Sequence, residues 1–373
     1  MIDAPGPWGS GPFVLAEGSS SLDTEQAVTS RDPFACTWLQ HEDRTPVVRL
    51  VANPHYWDKG RGPHVREVVF RNDLTREAAL ELVCTTEGEV DLVTEVPHAA
   101  ATRVERSPYA RLVAVSPVRA LAGVLNRDAE GLPLHDRRAR QALNLAVDRA
   151  TLVREGFAGR ARPLAGLTPP TRLTALHRAP ERLRPYPYDP ARAAALWREA
   201  TSGRTRPLQL AAMQDWEAAA HRVAGDLHEV LGIDVEVRVL RGEEQLEARR
   251  RLAEKSGPQG WDVLLLEQGS QAADTPPLEL HRAFVGRTGE FRAGPVLPEF
   301  ERLYADLVRQ RSQVRQVLAS NRIDRYVSRE ALALFLCAPQ VLYAVNRHVD
   351  FVPYATTFEL ADTRVSRHHW SRR

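Results

Sequence analysis

The chain has 373 residues, 43% hydrophobic and 26% charged, enough for two lobes and a sizeable core at ~100 to 200 residues per domain. Its 50 basic and 48 acidic side chains nearly cancel, leaving +2, so no global field favours nucleic acid and salt-sensitive phosphate binding has no source here. Lys59 and Lys255 are the only lysines; the arginine bias reads as base composition rather than a row of phosphate clamps. Cys36, Cys84 and Cys337 are odd in number and widely spaced, which gives neither a disulfide framework nor a zinc pattern. No run nears the ~18 apolar residues of a membrane span, and Met1 to Pro12 has no basic region followed by an apolar one. As written, the chain is expected in the cytoplasm.

Val47 to Ala52 and Val65 to Arg71 are β-rich, and Thr75 to Glu87 sets Ala78, Ala79, Leu82 and Val83 on one helical face, closed by Gly88. Val90 to Val96 resumes as a strand, a strand, helix, strand unit that already predicts an α/β class. Asp136 caps a helix with Ala139, Ala142, Leu143, Ala146 and Val147 on one stripe, and Asp148 can cap a second. A proline-rich stretch follows, then Asp189-Pro190 starts a helix through Ala200. Arg206 to Ala212, Ile233 to Val239 and Trp261 to Leu266 read as strands, separated by helices over Asp215 to Leu231 and Glu243 to Lys255. Beyond Phe300 the pattern predicts mainly helix through Leu336, then an extended run from Gln340 to Asn346. In an open sheet of this kind ligands bind beyond the carboxyl ends of the strands. Glu267, Gln268, Gln271 and Asp274, after Leu266, are therefore the first candidates for polar ligand contacts.

No dinucleotide, phosphate-loop, zinc-protease or serine-hydrolase motif occurs. His221 and His228 share a helix face but stand seven residues apart, ~10 Å at 1.5 Å per residue, too far for one small ion. No metal site and no cofactor are expected. Cys84 sits on the apolar face of its predicted helix and Cys337 ends the apolar run Leu334-Phe335-Leu336, so both read as core packing rather than as reactive thiolates.

Several segments, in order, resemble the extracytoplasmic solute-binding proteins of peptide and nickel ABC transporters. Gly9-Ser10-Gly11-Pro12-Phe13 resembles the family's Gly-Thr-Gly-Pro-Tyr/Phe entry, Asn53-Pro54-His55-Tyr56-Trp57 its Asn-Pro-x-Tyr-Trp turn, and Gly88-Glu89-Val90-Asp91 its Gly-Glu-x-Asp segment. Leu125-Asn126, Pro133 through Leu143 and Ala146-Val147-Asp148-Arg149 are similar to its most recognisable stretch, followed by Tyr188-Asp189-Pro190-Ala191-Arg192-Ala193 and Leu231-Gly232-Ile233.

The resemblance implies a two-lobed periplasmic-binding-protein-like fold of type II, with mixed sheets and flanking helices. Lobe I would comprise residues 1–119 and a C-terminal return over 345–373, and lobe II residues 120–344. Family members carry a signal sequence, a first piece of lobe I and a small subdomain ahead of the Gly-Thr-Gly-Pro motif; this chain begins almost at that motif, which implies a lost or reduced N-terminal portion. The implied function is capture of an oligopeptide, an amine or carboxylate compound or a nickel chelate between hinged lobes, for a membrane permease, by a monomeric, non-catalytic carrier outside the cytoplasm. Ser270 through Pro277 aligns with the segment in which peptide binders place an aspartate against the peptide's amino group, so Asp274 is expected to face an amine, with Gln271 where the family has tryptophan. Asn126 matches an asparagine that can bond a ligand backbone, and His281 and Arg282 could face a carboxylate or a chelate. An intracellular sensor reusing the fold is the alternative, and an enzyme using Cys84 or a carboxylate pair a third reading.

Overall fold

The computed structural model describes residues 9–18, 20–23, 28–29, 36–37, 41–117, 119–169, 183–201, 206–256, 259–269, 278–353 and 358–373. The chain divides into two compact units, the first comprising Met1–Ala27, Trp38–Ser116 and Val341–Arg373 and the second Val28–Thr37 and Pro117–Gln340.

The first unit is built on the sheet in which Val341–Asn346 lies between Leu92–Val93 and Ala110–Val115, antiparallel to both. Helices Arg76–Thr85 and Ala101–Arg106 pack Leu80, Val83, Cys84 and Val104 against Leu342 and Ala344 on one face. Tyr343, Val345, Val349 and Phe351 form a smaller cluster, as period-two alternation along Val341–Asn346 requires. Thr75 caps the first helix as its sequence predicts, accepting from Ala78 N. The strand expected over Val90 to Val96 is reduced to Leu92–Val93, with Glu95 beyond it in the left-handed region at φ 53° and Asp91 just before it. Its Oδ1 accepts from Asn346 Nδ2, His369 Nε2 and Trp370 Nε1, each at 3.0 Å, and so ties the chain's last turn to the sheet. A separate antiparallel sheet, Phe13–Glu17, Val47–Ala52 and Glu67–Arg71, is fixed to the turn after it by Asn53, whose Nδ2 donates to Gly11 O and whose Oδ1 accepts from His55 N.

The second unit is a three-layer α/β/α structure. Its six strands lie in the order Ala161–Pro163, Ala333–Pro339, Arg119–Leu125, Val263–Gly269, Leu208–Met213 and Val235–Leu240. The last three run parallel to one another, while Arg119–Leu125 is antiparallel to both its neighbours. Alternate residues feed two cores. Leu121, Leu265, Leu334 and Leu336 face helices Arg137–Ala146, Pro190–Thr201 and Glu217–Leu231, and Ala122, Leu264, Leu266 and Phe335 face Glu243–Glu254, Leu278–Val285, Pro298–Val308 and Gln313–Arg329. Gly123 lets this central strand sit close to its neighbours, since a Cβ there would lie 2.9 Å from Val263 Cγ1.

The helix expected through Leu336 ends at Arg329, and Ala333–Pro339 is instead a strand buried along its whole length. A strand covered on both faces reads as an unbroken apolar run, which periodicity cannot separate from a buried helix. The other helices begin where their caps predict. Asp136 accepts from Arg138 N, Asp148 from Ala150 and Thr151 N, and Asp189 from Arg192 N, and Gly232 closes Glu217–Leu231 in the left-handed region at φ 66°.

One polar cluster fastens the Arg137–Ala146 helix to the buried strand. Asn144 Oδ1 accepts from Phe335 N at 3.0 Å, and its Nδ2 donates to Ala333 O at 2.9 Å. Arg149 donates from Nε to Phe335 O at 2.6 Å and from Nη2 to Asn144 Oδ1 at 3.0 Å. Arg140 holds Leu134 O, His135 O and, at the end of the Gln313–Arg329 helix, Glu330 O, where a cation also meets the negative end of the helix dipole. Burial lowers the Arg149 guanidinium to about 10, so it stays charged and its carbonyl partners replace lost water.

Replacing Asn144 with alanine strands the Phe335 amide and one Arg149 donor. The expected loss is about 2 to 4 kcal/mol, read from urea unfolding. Lys255 gives a second test, because burial lowers its ammonium to about 7 while its Nζ donates to Gly289 O and Arg292 O. Between about pH 7 and the ordinary lysine value near 10.5 the unfolded chain holds more protons, so stability should rise with pH across that window. Lys255→Met should flatten the rise in urea midpoints measured from pH 6.5 to 9.5.

Candidate ligand-binding site

The boundaries at Ser116/Pro117 and Gln340/Val341 lie at one end of the six-stranded sheet, where Arg119 begins its strand and Pro339 ends the neighbouring one. The carboxyl ends of the three parallel strands, Met213, Leu240 and Gly269, lie at this same end. In open α/β sheets ligands bind beyond the carboxyl ends of the parallel strands.

Glu267 stands at this end. It is the third residue from the end of its strand and pairs in register with Leu121. Its Oε2 lies 3.4 Å from Arg119 Nη1, and its side chain keeps 16% of its exposure against 42% for Arg119. The two lie on the same face of adjacent strands, a diagonal cross-strand pair. Gly269, opposite Arg119, gives that arginine its space, since a Cβ there would come 2.9 Å from Arg119 Cγ. Sequence reasoning named Glu267 but missed Arg119, whose signal was its place at the first residue of the strand leaving the connection. Gln271 and Asp274 lie outside the described residues.

Asn126 is at the other end of the sheet. It stands five residues beyond Leu121, the partner of Glu267, or ~17 Å at ~3.4 Å per residue. Its Nδ2 donates to Trp261 O at 3.2 Å and its Oδ1 accepts from Asp128 N at 3.3 Å. It shapes the turn that leaves the strand, and the structure does not bring it together with Glu267.

The carboxylate expected opposite His281 is supplied by the protein. His281, with a side chain 2% exposed, lies in the Leu278–Val285 helix, and its Nε2 is 2.7 Å from Asp324 Oδ1. Thr168 Oγ1 donates to the same carboxylate at 2.6 Å. This trio joins two helices and a loop inside the core, so His281 is a packing group. Arg282 is half-buried, and its backbone oxygen accepts from Gly286 N.

Among the described residues no group of three His, Cys, Asp or Glu side chains is placed to hold a metal ion, and no helix is long and apolar enough to cross a membrane. The Cys84 and Cys337 thiols are buried and burial pushes both up from the ordinary thiol range, the opposite of what a thiolate nucleophile requires. The described part of the site offers a carboxylate and a guanidinium, suited to hydrogen bonding and charge pairing.

These features define an α/β protein with mixed sheets, of the periplasmic-binding-protein-like type II class. The sequence pattern of the bacterial extracellular solute-binding proteins, family 5 (middle region), matches residues 4–277, and the chain belongs to that family. Its sequence is 29% identical over 167 residues to the glutathione-binding protein GsiB of Escherichia coli strain K12. That match covers 44% of this chain and 29% of the relative, so the chain aligns with under a third of its length. Similar solved structures include NikA from Brucella suis in complex with Fe(III)-EDTA, with TM-score 0.72, 19% identity and coverage of 96% of this chain and 68% of that one. The putative peptide binding protein AppA from Clostridium difficile gives 0.70, 15%, 96% and 68%. The dipeptide binding protein of Pseudoalteromonas sp. SM9913 in complex with Met-Leu gives 0.68, 16%, 95% and 64%.

Neither buried cysteine should react with a maleimide in the native protein. Peptide mass mapping after labelling is expected to find both modified only above the unfolding midpoint in urea, and rapid native labelling of Cys337 would contradict the packing described.

Proposed function

We propose that the protein is the solute-capturing component of an ABC uptake system, binding a small amine- or carboxylate-bearing compound and handing it unchanged to a membrane permease. The observation that carries this reading is the family match over residues 4–277, joined to a charged pair at the strand ends from which the chain leaves the second unit. Relatives named for binding glutathione and a neighbour holding Met-Leu favour a short peptide or peptide-like ligand. A nickel chelate is the second candidate, from the likeness to NikA.

In this reading Arg119 pairs with a ligand carboxylate while Glu267 orients it. Asp274, five residues past the end of the Val263–Gly269 strand, takes the amino group, and Gln271 and Arg282 contribute polar contacts. Asn126 and His281 are left to hold the scaffold. Residues 1–119 and 345–373 would serve as one lobe and 120–344 as the other, closing on the solute because it contacts both. The carrier works as a monomer on the outer side of the membrane, without turnover.

The test is thermal shift on the intact protein with dipeptides, glutathione and nickel–histidine, followed by titration calorimetry. A true ligand at 100 times its Kd stabilises the native state by about 2.7 kcal/mol. Asp274→Asn and Arg119→Gln should each weaken binding at least tenfold while leaving the ligand-free melting temperature within a few degrees. No shift with any of the three classes, or time-dependent consumption of a bound one, would overturn the reading.

A further inference from the structure

The Pro298–Val308 and Gln313–Arg329 helices of the second unit are joined by a four-residue turn, 309–312. The turn is pinned. Gln310 N donates to Leu307 O, Gln310 Nε2 to Asp306 O, and Gln316 Nε2 to Gln310 O at 2.9 Å. On this fixed platform Val308, Val314 and Leu318 stand 63%, 69% and 54% exposed, with Val314 and Leu318 one helical turn apart on one face. Among the described residues they are three of the eight exposed large hydrophobic side chains, gathered within eleven residues.

The charge around them is one-sided. Between Arg302 and Ile323 the sequence carries five arginines and a single acid, Asp306, although the whole chain is nearly neutral. Asp306 is engaged by Arg322 at 3.2 Å and by Gln310. Arg309, Arg311 and Arg315 are exposed and, among the described residues, form no ion pair. Three unpaired guanidiniums also crowd the start of a helix with no acid in its first turn, where the helix dipole already places positive potential. Like charges concentrated in this way create a local positive potential that attracts an external anion. Aliphatic side chains between them call for an apolar layer lying directly beneath the anions.

We propose that this end of the helical pair, Val308 to Leu318 with Arg309, Arg311 and Arg315, docks on a membrane surface bearing anionic lipid headgroups. A lipid interface supplies negative charge and, a few ångströms deeper, hydrocarbon. The arginine stems lie along the apolar part while their heads reach the headgroups. The inference stands independently of which solute is captured.

The test is co-sedimentation of the full chain with vesicles of phosphatidylcholine alone or with 30 mol% phosphatidylglycerol. Wild type should partition onto the anionic vesicles at 50 mM salt and detach as salt approaches 1 M, where the screening length falls to about 3 Å. R309E/R311E/R315E should lower the partition coefficient at least about tenfold, and V308S/V314S/L318S should lower it with salt sensitivity retained. A charge-matched control, R66E/R76E/R367E, should bind as wild type does. Circular dichroism keeps the test clear of unfolding, since all the altered side chains are exposed. Absence of binding to the anionic vesicles overturns the proposal, even if an acidic polypeptide is bound. So does equal loss in the control, or binding unchanged by both patch variants.

Discussion

A cluster of buried cations bonded to backbone carbonyls rather than to carboxylates holds the second unit together. Arg140 closes the end of one helix, Arg149 meets the middle of the buried strand, and Asn144 binds both partners. An arginine buried without acceptors would cost several kcal/mol. These two spend most of their donors on carbonyls that would otherwise be left without water. The strand they grip, Ala333–Pro339, lies between Ala161–Pro163 and Arg119–Leu125 and leads directly into the first unit at Val341. Its placement therefore fixes the end of the sheet where Arg119 and Glu267 meet.

The same logic explains why the family could be recognised from scattered short motifs. Asn53 bonds Gly11 and so joins two of those motifs. Asp91 collects three donors, Asp136, Asp148 and Asp189 start helices, and Gly232 takes a conformation that other residues adopt at a cost. Each of these residues has a local task whose chemistry admits few substitutes, so it leaves a mark in the sequence. Their tasks concern folding, and for that reason the α/β class was legible while the ligand was not.

The failures of sequence reasoning have physical causes of the same kind. A strand covered on both faces has no alternation to read, so Ala333–Pro339 passed for helix. Asn126 and His281 are polar residues in suggestive positions, yet one secures a turn and the other is matched by Asp324 inside the core. Spacing along the chain gave no sign of a partner 43 residues away. The position of Glu267 was legible because a residue at a strand's carboxyl end is placed by topology alone, whereas its pairing with Arg119 emerged only once the antiparallel register was known.

Side chains of the Arg137–Ala146 helix and of Arg149, more than neighbouring strands, secure the buried strand at Phe335. Native-state hydrogen exchange at the Phe335 amide tests this most directly, because that N–H donates to Asn144 Oδ1. Exchange is expected only through global unfolding, with an opening free energy equal to that from urea denaturation and the same denaturant dependence. Exchange orders of magnitude faster than at Leu334 and Leu336, and insensitive to denaturant, would show that the clamp opens locally and would contradict that expectation.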